Sequence, residues 1–385
     1  MKKVSLGFFL SALFFAAAAQ PRTLLVSNPS PMEKKEEVID IDWQLVTTAC
    51  PTLDTGNFKV VNARSGKEYP YQLEYKGTSR VHNLLVQLTL PANATVPLQL
   101  ATGKPRPVAA KTYCRYVPER KDDFAWENDR IAHRAYGKAL ENTPAEMAYG
   151  VDVWVKRTHR LILNERYQRK GNYHEDNGDG LDYYHVGLSL GAGAIAPYIH
   201  DTLWYPKNYR GWKVLDNGPL RSTFQLFYEE WTAAGIPLRM TKTISISAGS
   251  QLSRNEVSWE TGRTDSLPVA AGIIKRKEQG ELLLNEQEGI LAYWEPRHGA
   301  DGTTGVACVL TTPVTAMLVN KEHALAQTFT RNQQNLVYYQ GAAWDKAGQI
   351  ASAPQWFHYL ANFKNNLNHP VIISLKTGER NPATR

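Results

Sequence analysis

The chain has 385 residues, 43% of them apolar, 21% charged and 10% aromatic, with 27 Gly and 21 Pro. This composition excludes a disordered or collagen-like chain and fits an ordinary globular protein. The formal charge of +7 is not gathered into long basic runs, so nucleic acid is not indicated as a partner, and no apolar stretch beyond the N-terminus nears the roughly 18 residues that a membrane-spanning helix needs.

The chain opens on Met1, Lys2 and Lys3, followed by an apolar run to Phe15 and four alanines ending at Ala19. A basic start, an apolar middle and a small-residue end read as a signal peptide over 1–19, so the mature protein is expected to be periplasmic or secreted. Loss of Lys2 and Lys3 lowers the formal charge from +7 to +5. Cys50, Cys114 and Cys308 are widely spaced and odd in number, which gives no disulfide framework and no metal knuckle, and burial is expected for each.

Short β-branched and aromatic stretches separated by turn residues predict strands at 58–61, 71–75, 84–90, 111–117 and 151–156. The pattern continues at 222–228, 239–246, 251–260, 269–274, 289–294, 306–310 and 370–375. The clearest strand is 238–246, where apolar and polar residues alternate as on a half-buried antiparallel strand. Helices are expected at 128–140, 164–170 and 355–364, the last from the spacing of Trp356, Phe357, Leu360 and Phe363. No repeat or linker divides the chain. The expectation is therefore an all-β protein, a large antiparallel β-sandwich with a few short helices, either as one domain or as a 20–117 portion followed by a 118–385 portion that carries the site.

Three segments concentrate polar chemistry. The densest runs from Gly171 to Gly187 and holds His174, Glu175, Asp176, Asp179, Asp182, Tyr184 and His185. Its opening matches a calcium loop but its end does not, since Val186 stands where a bidentate Glu belongs. Asp176, Asp179 and Asp182 remain candidate ligands for calcium or a similar divalent cation, because crowded carboxylates repel unless something compensates them, while self-capped Asx turns are the plainer account. The glycines of 187–193 lack the context of a dinucleotide loop and suit closely packed backbone.

The second segment, 124–137, mixes Trp126, Arg130, Arg134 and Tyr136 with Glu127, Asp129 and His133, a set suited either to sugar recognition or to a buried salt-bridge network. The third comprises Trp294, Glu295 and His298 together with Trp344 and Lys346, aromatic and charged groups at strand ends. Trp126, Trp294 and Trp344 are candidates for stacking on sugar faces, with Arg130, Arg134, Tyr136 and Lys346 for polar contacts.

The runs Trp126-Glu127-Asn128-Asp129-Arg130-Ile131-Ala132, Tyr136-Gly137, Gly171-Asn172-Tyr173-His174-Glu175-Asp176 and Gly191-Ala192-Gly193, with Arg134, Gly178, Gly180, Asp182, Gly341 and Trp344, resemble a secreted bacterial family catalogued as domain of unknown function number 4861. The resemblance implies a β-sandwich similar to the galactose-mutarotase-like supersandwiches of polysaccharide lyases, and an acidic plant or algal glycan as target. It supplies no established catalytic residues.

The function expected is an exported carbohydrate-active protein acting on uronate-containing oligosaccharides of rhamnogalacturonan, ulvan or arabinogalactan type. β-Elimination needs a base, His174 or Tyr184, and a neutraliser of the uronate, Arg130, Arg134 or a cation. Hydrolysis would pair Glu175 or Asp176 with Glu295, and His298 is a further acid or base candidate. The alternatives are a non-catalytic glycan-binding protein and a mutarotase-like epimerase.

Overall fold

The computed structural model describes residues 22–169, 173–262 and 266–376. The expected leader at 1–19 and residues Gly171 and Asn172 of the acidic segment lie outside these. The described chain is an antiparallel β-protein, with only three α-helices, Trp43–Ala49, Leu163–Gln168 and Ala353–Asn368, among the described residues.

The main body has two layers. One is an eight-stranded sheet, in spatial order Gly211–Asn217, Arg221–Ala233, Ile236–Ser247, Leu252–Thr261, Leu336–Trp344, Thr304–Leu310, Ile290–Trp294 and Glu281–Asn285. The facing layer is built from two five-stranded sheets. The first runs Gly180–Leu181, Asp152–Lys156, Ile131–Ala135, Asp123–Asn128, Thr112–Val117, and the second Thr202–Leu203, Ala192–Ile199, Leu267–Ile274, His323–Thr330, Ala316–Val319. A parallel bridge between Val151 and Gly191 joins them. Gly191 has φ +59°, and a Cβ there would stand 2.3 Å from the Val151 carbonyl oxygen, so this junction requires glycine, as the close-packing account of 187–193 expects.

The alternation at 238–246 has its expected consequence. Leu238, Met240, Ile244 and Ile246 enter the core while Thr241, Thr243 and Ser245 line the opposite face. Each fully buried aliphatic side chain of this kind contributes about 1.5–3 kcal/mol, and the core continues through Phe124, Trp126, Trp259 and Tyr338. Cys50, Cys114 and Cys308 are buried and unpaired.

A smaller sandwich with its own core, including Leu24, Ile39, Val60, Leu84 and Leu98, packs beside the main body. Its sheets are Ile372–Leu375, Leu24–Ser27, Thr95–Thr102, Phe58–Asn62, Glu68–Tyr69 and, facing these, Lys34–Asp42, Asn83–Leu90, Tyr71–Glu74. The last strand thus returns to the first, with Leu24 opposite Leu375, whereas Thr112–Val117 already pairs with Asp123–Asn128 of the main body.

Helix Ala353–Asn368 buries Trp356 and Leu360 against Trp294 and Ala343, as their spacing predicts. The expected helix at 128–140 is not formed. Asn128 turns the chain instead: its Oδ1 accepts from the Arg130 and Ile131 N–H groups at 2.9 and 3.0 Å, and its Nδ2 donates to the Ser247 and Ser250 carbonyls at 2.7 Å each. Ile131–Ala135 then continues as a strand paired on both sides.

Candidate functional site

Strict alternation along three neighbouring strands separates two faces. Phe124, Trp126, Ile131, Val153 and Val155 point into the main core, so Asp123, Glu127, Arg134, Asp152 and Lys156 fall on the opposite face of the sheet. Helix Leu163–Gln168 and the segment from Tyr173 to Asp182 cover this face, burying its charges beside a small apolar cluster of Ala125, Ala132, Trp154 and Leu163.

Two networks satisfy those charges. Lys156 donates to Glu127 at 2.6 Å and to the carbonyls of Asn128 and Arg160, while the other Glu127 oxygen accepts from the Ile162 and Leu163 N–H groups at 2.7 and 2.8 Å. This part is a structural salt-bridge network. The second centres on Arg134, whose Nε donates to Asp152 at 2.5 Å and Nη2 to Asp182 at 2.9 Å, with Nη1 3.7 Å from Asp123. The Tyr136 hydroxyl donates to the same Asp152 oxygen at 2.9 Å.

Arg134, with Arg120 acting on Asp123, does not fully neutralise three buried carboxylates. Burial, only partly offset by Arg134 and, at Asp123, by Arg120, pushes the Asp123 carboxyl up to about 7 and that of Asp182 up to about 6. Burial opposes the Arg134 charge too, but its carboxylate neighbours outweigh this and hold it firmly protonated. Asp123 Oδ1, Arg134 Nη1 and Arg166 Nη1 are buried without a hydrogen-bond partner among the described residues. Clustered carboxyls with raised pKa and unpaired polar atoms mark a functional-site candidate.

His174 stands at the surface of this network, its side chain 55% exposed. Its Nδ1 lies 2.5 Å from the Asp182 carbonyl oxygen, which can only accept, so Nδ1 carries the hydrogen and the neutral ring keeps its lone pair on Nε2. The next residue connects to the third segment. The Tyr183 hydroxyl bonds Thr304 at 2.5 Å and its ring stacks on His298 with centroids 5.1 Å apart, while His298 Nδ1 donates to Asp301 at 2.9 Å. Asp176 pairs with Arg157, which lies over the Trp344 ring at 4.9 Å. The acidic segment therefore brings residues of all three polar segments into contact.

Several sequence expectations change. Asp176, Asp179 and Asp182 do not converge on a cation: Asp176 turns to Arg157, Asp179 to Arg166 and Arg169 at 3.4 and 2.7 Å, and Asp182 to Arg134. Arginines supply the positive charge for which calcium was a candidate, Asp176 also caps its own turn by accepting from the Gly178 and Gly180 N–H groups, and no group of three or more metal-binding side chains occurs among the described residues. Trp126, Trp294 and Trp344 are core residues, not stacking platforms; Trp126 is fully buried and donates to Ser253. Tyr136 and Arg134 are buried and committed to Asp152, so neither meets a sugar at the surface. Tyr184 is buried beneath the Arg276 guanidinium and is no surface base, its pKa raised far by burial. Glu295, also buried, accepts from Arg276 at 2.7 Å, and burial pushes its carboxyl up to about 7.

Arg130 lies elsewhere, pairing with Glu36 of the small sandwich. Lys346 donates to the Ala300 carbonyl beside the His298 turn. Glu175 and His298 are exposed. Sequence reasoning missed Asp123, Asp152, Arg157, Arg276 and Asp301. The available signal was a pair of charges four residues apart, and so on one face, of otherwise apolar strands: Asp123 and Glu127 in Asp123–Asn128, Asp152 and Lys156 in Asp152–Lys156.

The family described as Domain of unknown function (DUF4861) matches residues 26–373, which include every residue of this network. The chain belongs to that family. A protein named Uncharacterized protein P7, from Formosa agariphila, is 29% identical over 408 residues, covering 98% of this chain and all of the relative. Among solved structures, a protein in the glycosyl hydrolase family 38 from Enterococcus faecalis superposes with TM-score 0.52 at 9% identity, over 92% of this chain and 47% of that one. An alpha-mannosidase from Enterococcus faecalis V583 gives 0.51 at 8% identity, over 92% and 46%. This chain spans about half the length of those two proteins, and at such identities the likeness is one of fold.

Proposed function

We propose that the protein is a carbohydrate-active enzyme that cleaves uronate-containing oligosaccharides by β-elimination on the face bearing His174 and His298. The carrying observation is that these two surface imidazoles, each oriented through Nδ1, touch the adjacent residues Asp182 and Tyr183. Elimination needs such a pair. One imidazole takes the C5 proton, the C5–H electrons form the C4–C5 double bond, the C4–O bond breaks, and the leaving oxygen takes a proton from the second. We assign His174 as base and His298 as acid. We assign Arg157, ion-paired with Asp176 on one side and with its side chain 33% exposed, to meet the uronate carboxylate. The family 38 likeness and the raised pKa of Glu295 support hydrolysis as a second reading, but Arg276 already occupies that carboxylate.

The test is incubation of mature protein with rhamnogalacturonan, ulvan and arabinogalactan oligosaccharides, following ultraviolet absorbance of unsaturated uronate and release of reducing ends. New absorbance is expected, lowered by about 10²–10⁴ in His174→Ala and in His298→Ala. Reducing ends without absorbance would replace elimination by hydrolysis, and binding without product would make the protein a glycan-capture module.

A further inference from the structure

A second candidate lies away from the histidine face. Between the small sandwich and the outer face of the eight-stranded sheet is a cleft of about 1460 Å³, walled by strand Lys34–Asp42 on one side and helix Ala353–Asn368 on the other. Its volume exceeds the roughly 300–1,000 Å³ of a typical small-molecule pocket, so an occupant would be extended.

The floor is a row of hydroxyls, because the polar half of the period-two pattern in Ile236–Ser247 faces outward here. Thr243, Ser245 and Ser247 line it with Thr223, whose hydroxyl is 3.0 Å from that of Ser245. Two of the charged pairs around it are already fixed: Asp40 takes both Arg221 terminal nitrogens at 2.7 and 2.8 Å, and Arg254 pairs with Glu256 at 2.5 Å. Six carboxylates and five lysines or arginines line the cleft, so it has no cationic excess that would draw in a polyanion.

The helix side adds Tyr359 and Phe363, with Tyr339 from the sheet; Tyr339 and Phe363 meet edge to face at 5.0 Å. Aromatic rings beside a hydroxyl and amide lining are what the apolar faces and hydroxyls of sugars require. Gln251, only 5% exposed, lines the cleft and keeps its Oε1 without a hydrogen-bond partner among the described residues. Burial also raises the pKa of the Glu37 carboxyl, favouring a form that donates to a hydroxyl.

We propose that this cleft is a second carbohydrate-binding site, for an uncharged oligosaccharide several units long. It goes beyond the elimination reading and does not depend on it. A neutral side chain or branch could dock here while the acidic backbone reacts at the histidine face.

The experiment is isothermal titration calorimetry of the mature protein with galacto-, manno- and xylo-oligosaccharides, and with oligogalacturonate as the charged comparison. At least one neutral probe should bind, more tightly than oligogalacturonate does at the cleft. Ser245→Trp, which fills the floor, should weaken that binding by about tenfold or more, the equivalent of 1.4 kcal/mol. Glu37→Ala, which removes the carboxyl as a donor, should weaken it severalfold and carries the test if Ser245→Trp fails to fold. His174→Ala should leave it unchanged. The proposal is overturned if no neutral probe binds at millimolar concentration, if the folded cleft variants bind as wild type does, or if His174→Ala abolishes the binding. None of these outcomes bears on whether ultraviolet-absorbing product forms.

Discussion

Arg134 is the residue on which most of the candidate site rests, since it holds Asp123, Asp152 and Asp182 at once. Removing it would strand buried carboxylates, which typically costs about 3–5 kcal/mol. Arg134→Ala is accordingly expected to lower the free energy of unfolding by that amount in urea, and Arg134→Lys to recover little of it, because a single ammonium cannot reach three carboxylates as a fork does. Burial of the same cluster, with Asp152 adding to it, predicts a pH dependence. The folded pKa of Asp123 is raised to about 7 from an ordinary value near 3.8, so the group binds its proton more tightly when folded. Its stabilising contribution is full below about pH 4 and disappears as pH rises through about 7. Melting temperature should therefore decline across this range, and less steeply in Asp123→Asn; equal slopes would show that Asp123 does not retain the proton. The residues of this cluster were only half legible. Arg134, His174 and Asp182 stand out by composition, but Asp123 and Asp152 look like strand-edge charges until the strands pair and set both against the Arg134 guanidinium.

At the level of elements, the strands and the last helix follow from local pattern. Period two at 238–246 and helical spacing at 356–363 each survive because burial of one face rewards the same periodicity that propensity favours. The 128–140 segment fails for the opposite reason: its apolar residues fit either period, and the Asn128 side chain decides by bonding carbonyls 119 and 122 residues away. Helix Trp43–Ala49 was also missed, a seven-residue element whose main local signal is Asp42, which caps Gln44 N–H at 2.8 Å. The junction of the two five-stranded sheets offers a direct test. Gly191→Ala places a Cβ 2.3 Å from the Val151 carbonyl in a left-handed backbone, and should destabilise the protein by about 1–3 kcal/mol in chemical denaturation. A neutral substitution would mean that the junction yields at little cost.

For the whole molecule, the pairing of Ile372–Leu375 with Leu24–Ser27 ties the end of the chain to the small sandwich. Truncation before residue 371 should uncover the edge of Leu24–Ser27 and add an earlier unfolding transition, together with faster proteolysis within 22–102, while the main body melts as before. A single unshifted transition would show that the returning strand is dispensable. By itself the sequence determined the β-class, the alternating strands, the final helix and the three polar segments, since each is written in residues close along the chain. Only the tertiary structure decided that arginines pair with the carboxylates of the acidic segment, that the tryptophans offered as candidates for sugar faces are core, and that a polar cleft opens between the two sandwiches. Those outcomes depend on which charges and faces meet in space, from the Asp182–Arg134 pair 48 residues apart to the Asp40–Arg221 contact 181 residues apart, and neither composition nor periodicity specifies such pairings.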